Sequence, residues 1–175
     1  MLHTLLRPGK EIYMLKHKHF EKQINIRNEH FYLISPPHRK VSNKNNGPIP
    51  SDQIVKEIYE KRICKRYPIE TGEEYIFFNN ISNREQVRNM VDKVFRKVSK
   101  MLNLYYVENS TRNRPLYSLR STSAIETAEN TNATLEDLAR LGNTSAKMLE
   151  TRYLKKYQKE KAIQIQERIY SKKIS

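Results

Sequence analysis

A tyrosine and an arginine three residues apart form the first pair in this chain whose spacing suggests chemistry. Tyr117 and Arg120 belong to the segment Tyr-Ser-Leu-Arg, and residues three apart on a helix lie on the same face. A guanidinium matches the oxygens of a phosphate in a two-pronged geometry that a lysine ammonium lacks. The pair therefore predicts a site that binds an anion, with phosphate as the favoured ligand.

A second tyrosine stands downstream, after two short predicted helices. Thr134 followed by Asp137 is typical of a helix N-cap with an acid at the third helical position, and Gly142 predicts the end of that helix. On the next helix, Leu149 and Tyr153 share one face with Ala146. This spacing predicts that Tyr153 points inward, toward the helix that carries the arginine.

The order of these segments resembles the tyrosine recombinases, the phage integrase family. In that family a His-x-x-Arg or Tyr-x-Leu-Arg segment carries the second catalytic arginine. A Leu-Gly-His-Thr/Ser-Ser segment follows it, and the nucleophilic tyrosine lies a short distance beyond. This chain has Tyr-Ser-Leu-Arg, then Leu-Gly-Asn-Thr-Ser at 141–145, then the tyrosine. The resemblance implies that the catalytic residues include Tyr117, Arg120, Asn143 and the nucleophile Tyr153.

A further arginine stands near the start of the chain. Pro8 and Gly9 favour entry into a helix with Glu11 in its first turn. Arg7 would then lie beside a helix N-terminus, where backbone N–H groups favour a phosphate. The segment Arg-Pro-Gly-x-Glu-(x)3-Leu also looks like the first-arginine motif of the family. The resemblance therefore implies that Arg7 is the first catalytic arginine and that Glu11 is its supporting acid.

The position of Arg7 suggests a shortened protein. In full-length members of the family a core-binding domain and the first helices of the catalytic domain precede this arginine, whereas six residues do so here. We expect residues 1–153 to form a recombinase catalytic domain that lacks its first helices. We expect residues 154–175 to form a basic tail, either extended along DNA or packed onto a neighbouring protomer, and its apolar spacing leaves open whether it is helical.

The basic loop after a predicted hairpin supplies the remaining catalytic candidate. Residues 22–27 and 30–35 read as two strands joined by a tight turn. In the family, a lysine on the turn of this sheet protonates the leaving 5′ oxygen of DNA. The resemblance assigns that role to Lys40, with Lys44 as the alternative.

Two longer helices complete the prediction, one from Ser51 or Asp52 to about Lys65 and a core helix from Asn83 to Leu102. The predicted fold class is α+β and mainly helical, with a small antiparallel sheet near the N-terminus. The resemblance implies the catalytic-domain fold of the tyrosine recombinases. The side chains expected to face inward are Ile54, Val55, Ile58, Tyr59 and Ile63 on the first helix, and Val87, Val91, Val94, Phe95, Val98 and Leu102 on the second.

Composition independently favours a polyanionic partner. The chain has 33 Lys and Arg residues against 19 Asp and Glu residues, which gives a net charge of +14 and a pI near 9.8. Its single cysteine, Cys64, excludes an intramolecular disulfide and fits a reducing compartment. The sequence has neither an apolar run of membrane-spanning length nor a signal-peptide pattern. We expect a cytoplasmic, nucleoid-associated protein without membrane or small-molecule partners.

The resemblance implies a specific reaction on double-stranded DNA, performed by a homo-tetramer in full-length members. Tyr153 would attack a phosphodiester to give a 3′-phosphotyrosine and a free 5′ hydroxyl. Arg7 and Arg120 would stabilise the negative charge, and Lys40 would protonate the leaving oxygen. The reaction requires neither ATP nor another cofactor. The sequence lacks the closely spaced Cys, His or acidic groups of a metal site.

Two departures from the family pattern keep other functions open. Asn143 stands where histidine or tryptophan is usual, and its amide donates a hydrogen bond but cannot shuttle a proton. Tyr117 stands where many relatives have histidine. The first alternative is a decayed or regulatory recombinase fragment that binds DNA without cutting it. The second is a small basic helical protein that binds RNA or the ribosome, for which the charge but not the spacing of the motifs would matter.

Overall fold

The computed structural model describes residues 4–37, 47–153, 162, 163 and 166. It confirms an α+β, mainly helical protein with one small antiparallel sheet. The helical segments are α1 Lys10–Tyr13, a 3₁₀ turn His17–His19, α2 Gln53–Ile58, a π turn Tyr59–Ile63, α3 Cys64–Arg66, α4 Arg84–Met101, α5 Ser118–Asn130, α6 Leu135–Leu141, α7 Ala146–Met148 and a second π turn Leu149–Tyr153. The strands are β1 Phe20–Ile24, β2 His30–Ile34 and β3 Ile49–Pro50.

The predicted hairpin is present with a longer turn. Strands β1 and β2 pair antiparallel, with Ile24 opposite His30. The predicted tight turn at 28–29 is wrong because the Asn25 side chain accepts hydrogen bonds from the backbone N–H groups of Arg27 and Glu29, at 2.9 and 3.0 Å. Asn28 adopts a left-handed φ of 61° within that turn. The first strand therefore ends at Ile24 rather than at residue 27.

The third strand has no counterpart in the sequence prediction. Strand β3 pairs antiparallel with β2, and Ile49 lies opposite Ile34. Its two residues include Pro50, so it shows neither the alternation nor the length of a recognisable strand. Burial of Ile49 and Ile34 explains why the pairing forms.

A first apolar core joins α1 to the sheet, to the π turn Tyr59–Ile63 and to α4. The ring of Tyr59 stacks on Phe20 with centroids 4.3 Å apart and meets the edge of Tyr32 at 4.9 Å. This cluster anchors the chain that follows Arg7. The buried members are Leu6, Ile12, Tyr13, Leu15, Tyr32, Ile34, Ile49, Tyr59, Ile76 and Val87.

A buried histidine in this core predicts a pH-dependent stability. The Nδ1 atom of His17 lies 2.9 Å from the hydroxyl of Tyr59, and burial lowers the pKa of His17. The unfolded chain therefore binds a proton first as the pH falls below about 6.5. We expect the free energy of unfolding to decrease from there toward the lower pKa of the folded state.

Urea denaturation of the wild type and of His17→Gln, at about pH 7.5 and about pH 5.5, measures this effect. The glutamine keeps a hydrogen-bonding group beside Tyr59 but does not titrate. We expect acid to destabilise the wild type more than the variant. An equal loss of stability in both proteins would contradict the assignment to His17.

The helix predicted after Ser51 is present but contains a π turn. The Asp52 side chain accepts from the backbone N–H of Val55 at 2.7 Å, which confirms the predicted N-cap. Tyr59 is buried as expected, but the prediction that Ile54 and Ile58 face inward is wrong, because both are exposed. Val55, Tyr59 and Ile63, each four residues apart, face the core instead, and Ile54 and Ile58 lie about 100° away around the helix. The part of this segment from Tyr59 to Ile63 is the π turn.

The predicted long helix is confirmed as α4, with Asn83 accepting hydrogen bonds from the backbone N–H groups of Glu85 and Gln86. Its first turns pack against α1, and the Arg84 Nε donates to the carbonyl of Tyr13 at 2.7 Å. Val87 is buried. The prediction of an inward stripe along the whole helix is wrong in the C-terminal half, where the side chains of Val94, Val98 and Leu102 are exposed.

A second, smaller apolar cluster holds the C-terminal helices. Its buried members are Leu5, Ala124, Leu138, Ala139 and Leu149. Leu5 brings the start of the chain onto α5 and α6, so the cluster fixes where Arg7 lies relative to those helices. Among the described helices, none has the length and apolar character to cross a bilayer. Apart from 162, 163 and 166, the predicted tail 154–175 lies outside the described residues.

Candidate functional site

Arg120 is the most deeply buried charged side chain of the site. It lies one turn into α5 and has a relative exposure of 2%. Its Nη2 donates to the carbonyl oxygen of Gly142, and its Nη1 has no hydrogen-bond partner within the part of the chain that the structure describes. A buried cation is costly unless it is paired. The unsatisfied Nη1 is therefore a place where an acceptor or an anion would be stabilised.

Arg7 reaches the same turn from the opposite end of the sequence. Its Nη2 donates to the carbonyl oxygen of Asn143 at 2.6 Å, across 136 residues of chain. The carboxylate of Glu11 holds the arginine in place, because it accepts from the backbone N–H of Arg7 at 2.9 Å and lies 3.7 Å from its Nε. Glu11 is itself buried in α1. Arg7 and Glu11 are therefore paired in the structure.

The two arginines thus converge on consecutive carbonyl groups, those of Gly142 and Asn143. Two guanidinium groups this close repel each other unless negative charge lies nearby. Glu11 is the carboxylate that pairs with Arg7, and Arg120 has no ion-pair partner among the described residues. The arrangement favours an additional anion, for which a phosphate with several oxygens is suited.

The turn after α6 provides these carbonyl groups. The backbone N–H of Gly142 donates to the carbonyl of Leu138 at 2.9 Å, and that of Thr144 donates to the carbonyl of Ala139 at 2.9 Å. Asn143 is buried and has a left-handed φ of 47°, a conformation that asparagine tolerates better than most residues. The capping box between Thr134 and Asp137 at the other end of α6 is confirmed.

Gly142 is required where the turn meets Arg120. A Cβ atom at this position would lie 3.1 Å from the Arg120 Nη2 and 3.1 Å from the carbonyl oxygen of Leu138. We expect Gly142→Ala to lower the free energy of unfolding by about 1–3 kcal/mol through overpacking. Urea denaturation measures the loss.

Gly47→Ala is the matched control for this substitution. Its added Cβ would meet the far end of the flexible Arg140 side chain, which moves at little cost. We expect a change within about 0.5 kcal/mol. Equal effects of the two substitutions would contradict a tight fit at the turn.

Tyr117 lies beside Arg120 but is the N-cap residue of α5 rather than part of the helix. The centre of its ring is 5.9 Å from the Arg120 Cζ, within the range of a cation–π contact. Its side chain is exposed. The structure therefore brings together the predicted site residues Arg7, Glu11, Tyr117, Arg120 and Asn143.

For the predicted nucleophile, Tyr153, the structure describes the backbone but not the side chain. The Ser145 side chain caps α7 by accepting from the backbone N–H of Met148, and the chain continues into the π turn Leu149–Tyr153. This turn contacts both α5 and α6, and its first residue, Leu149, is buried. The side chain of Tyr153 and the predicted lysines Lys40 and Lys44 lie outside the described residues.

Ser123 follows Arg120 by one turn of α5, and it was not singled out in the sequence analysis. It is buried one turn after Arg120 on α5, and its Oγ has no hydrogen-bond partner in the described ranges. It stands in a run of serine and threonine that resembles an ordinary helix start, so local pattern gave no signal. Across the described residues, no group of three or more His, Cys, Asp or Glu side chains could hold a metal ion.

No family model matches this chain. No curated protein and no solved structure matches it either. The function of the site must therefore be inferred from its own residues and contacts.

Proposed function

We propose that this chain is the catalytic domain of a site-specific DNA recombinase or integrase of the tyrosine-recombinase type. It would cut and rejoin double-stranded DNA through a 3′-phosphotyrosine intermediate. One observation carries the proposal: Arg7 and Arg120, which the family pattern assigns to one phosphate, donate to adjacent carbonyl oxygens. Because Arg7 and Arg120 are far apart in the sequence, their proximity is not a consequence of neighbouring positions in the chain. It therefore supports a ligand that both residues bind.

The geometry supports binding of a phosphodiester at the Gly142–Asn143 turn. A phosphate there would accept from the unsatisfied Nη1 of Arg120 and would replace carbonyl oxygens as the acceptor of the other N–H groups. The negative charge on the phosphate oxygens increases as the nucleophile attacks. Fixed guanidinium donors are therefore worth more in the transition state than in the bound state.

The chemistry follows from the assigned roles. The hydroxyl oxygen of Tyr153 attacks phosphorus, its proton passes to solvent, and the bond to the 5′ oxygen breaks. Lys40, or Lys44 in its place, supplies the proton that the leaving oxygen needs. The phosphotyrosine bond keeps the ester linkage, and a 5′ hydroxyl of another strand reverses the step and releases the tyrosine. On DNA, a homo-tetramer would align the strands for this exchange.

Formation of a covalent adduct that survives SDS tests the proposal. Wild type and Tyr153→Phe are incubated with nicked duplexes that tile the ends of the genetic element encoding the chain. Tyr106→Phe, a change at an exposed tyrosine of the described surface, is the control. We expect the adduct with the wild type and the control but not with Tyr153→Phe. An adduct that persists in Tyr153→Phe would exclude this tyrosine as the nucleophile.

The second candidate function is DNA binding without cleavage. Two observations favour it: Arg7 and Arg120 already donate to carbonyl groups of their own chain, and Asn143 cannot shuttle a proton. This function predicts equal DNA affinity of wild type and Tyr153→Phe with no adduct from either. Both functions require an affinity that falls steeply with salt, so salt dependence does not distinguish them.

A further inference from the structure

Helix α4 carries an apolar stripe with a coiled-coil spacing, and the C-terminal half of the stripe is exposed. Val87, Val91, Val94, Val98 and Met101 follow one another at intervals of four, three, four and three residues. Apolar residues repeating every 3.5 positions form a seam that a second helix covers. The stripe starts inside the protein, because Val87 has a relative exposure of 0%.

The remainder of the stripe is uncovered. The side chains of Val94, Val98 and Met101 have relative exposures of 60%, 46% and 72%. The backbone N–H of Leu104 donates to the carbonyl of Ser99 at 2.8 Å, so the loop after α4 folds back on the helix end and adds the exposed Leu104 beside it. Single exposed apolar residues are ordinary, whereas a contiguous row on one helix face marks an interaction surface.

Basic residues lie along one side of this surface. Between residues 93 and 101 the sequence contains four basic and no acidic residues: Lys93, Arg96, Lys97 and Lys100. Arg96 forms an ion pair with Asp92, one turn earlier. Lys100 lies over the ring of Tyr105, with its Nζ 5.3 Å from the ring centre. In this repeat Lys97 takes an edge position beside Val94 and Val98, and Lys93 lies one turn earlier on the same side, so both would meet glutamates on the edge of an opposing helix.

We propose that the C-terminal half of α4 is a docking surface for an acidic amphipathic helix of a partner protein. A helix with leucines facing the stripe and glutamates on its edges would cover Val94, Val98 and Met101 and would pair with the lysines. The inference does not depend on the proposed DNA chemistry, because none of these residues belongs to the site around Arg7 and Arg120.

Charge disfavours a second copy of the chain and the chain's own tail, and the spacing of the stripe disfavours a bilayer and DNA. A second copy of the chain would bring another net charge of +14 and would set these lysines against each other. The chain's own tail, residues 154–175, has apolar Ile163, Ile165 and Ile169 but seven basic residues against two acidic ones. An anionic bilayer or DNA would satisfy the charge, but neither offers the regular apolar seam that a 3.5-residue repeat fits.

The size of the surface predicts modest affinity. From Val94 to Met101 the helix rises about 10 Å, which is two turns. Contacts of this extent are at the low end of specific interfaces, so micromolar affinity is expected.

Fluorescence anisotropy with a synthetic helical peptide tests the proposal on the full chain. The peptide has three heptads with leucine at the a and d positions and glutamate at the e and g positions. A second peptide with lysine in place of glutamate controls for charge. The protein variants are Val94→Glu, within the stripe, and Asn89→Glu, which adds the same charge at an exposed position on the far side of α4.

We expect the acidic peptide to bind the wild type and Asn89→Glu alike, and Val94→Glu to bind it at least about tenfold more weakly. The lysine peptide should not bind. Failure of the acidic peptide to bind, or equal weakening by both substitutions, would overturn the proposal because binding would not use the stripe. Two further results would also overturn it: a dimer of the wild type that Val94→Glu abolishes in sedimentation, or binding of anionic phosphatidylserine vesicles that Val94→Glu abolishes while peptide binding is absent.

Discussion

Arg120→Ala should lower the rate of covalent adduct formation by about 100- to 1,000-fold, the loss typical of removing one donor that stabilises a developing oxyanion. The physical reason is the buried position of the guanidinium, where water cannot replace it and electrostatic interactions are strong. The rate is measured in single turnover with saturating nicked duplex, so that weaker binding does not enter the result.

Two variants keep this prediction interpretable. Arg112→Ala removes the same charge from an exposed loop position and should leave the single-turnover rate near that of the wild type. Arg120→Lys preserves the charge but not the two-pronged geometry, so it should remain folded by circular dichroism and still be slow. A rate for Arg120→Lys equal to that of the wild type would contradict a role for the fork of N–H donors.

Leu149→Ala should lower the free energy of unfolding by about 2–5 kcal/mol, as expected when a leucine is removed from a packed core. Leu149 has a relative exposure of 2% and joins the cluster formed by Leu5, Ala124, Leu138 and Ala139. It also begins the π turn that ends at Tyr153. We therefore expect this substitution to displace the nucleophile and to reduce adduct formation even where the variant remains folded.

The adjacent Met148 provides the control for Leu149. Its side chain has a relative exposure of 37%, and Met148→Ala should cost about 1 kcal/mol or less. Chemical denaturation gives both stabilities, and the adduct assay at low temperature gives both activities. Similar losses of stability and activity in the two variants would show that the π turn is not anchored by Leu149.

Local sequence patterns predicted the starts of helices correctly where a side chain forms a hydrogen bond to the backbone of its own helix. The caps at Asp52, Asn83 and Thr134 formed as their residue types predict, because each oxygen accepts from backbone N–H groups two or three positions ahead. The α+β class and the hairpin followed from periodicity in the same way.

The sequence did not predict burial or strand pairing correctly where these depend on which other segment packs against the residue. The alternation of apolar residues on α4 is real, but whether Val98 is covered depends on how far the body of the protein extends along the helix. Likewise, Ile58 has the period of a core residue but is exposed, because the row Val55, Tyr59 and Ile63 faces the core and Ile58 lies about 100° around the helix from Tyr59. Strand β3 formed through its pairing with β2, which two residues of sequence cannot indicate.

Some features of the candidate site were predicted from local sequence patterns, and others depend on tertiary contacts and were not. Motif spacing gave the identities of Arg7, Glu11, Arg120 and Asn143, and the structure brings these residues together. The hydrogen-bond acceptors of the two arginines are backbone carbonyl groups. Every residue has such a group, so the sequence could not indicate which ones would accept. The buried Ser123 was missed for a related reason, since a hydroxyl in a serine-rich helix start has no distinctive pattern.

The central claim is that Arg7 and Arg120 act on the charge of one DNA phosphate. It is tested most directly by measuring adduct formation on a duplex whose scissile phosphate is replaced by an uncharged methylphosphonate. The wild type, Arg7→Ala and Arg120→Ala are compared on both DNAs. We predict that each alanine variant is slow on phosphate and within about tenfold of the wild type on methylphosphonate, because the charge that the arginine offsets is absent. Equal defects on the two DNAs, or no adduct from the wild type on either, would contradict the account.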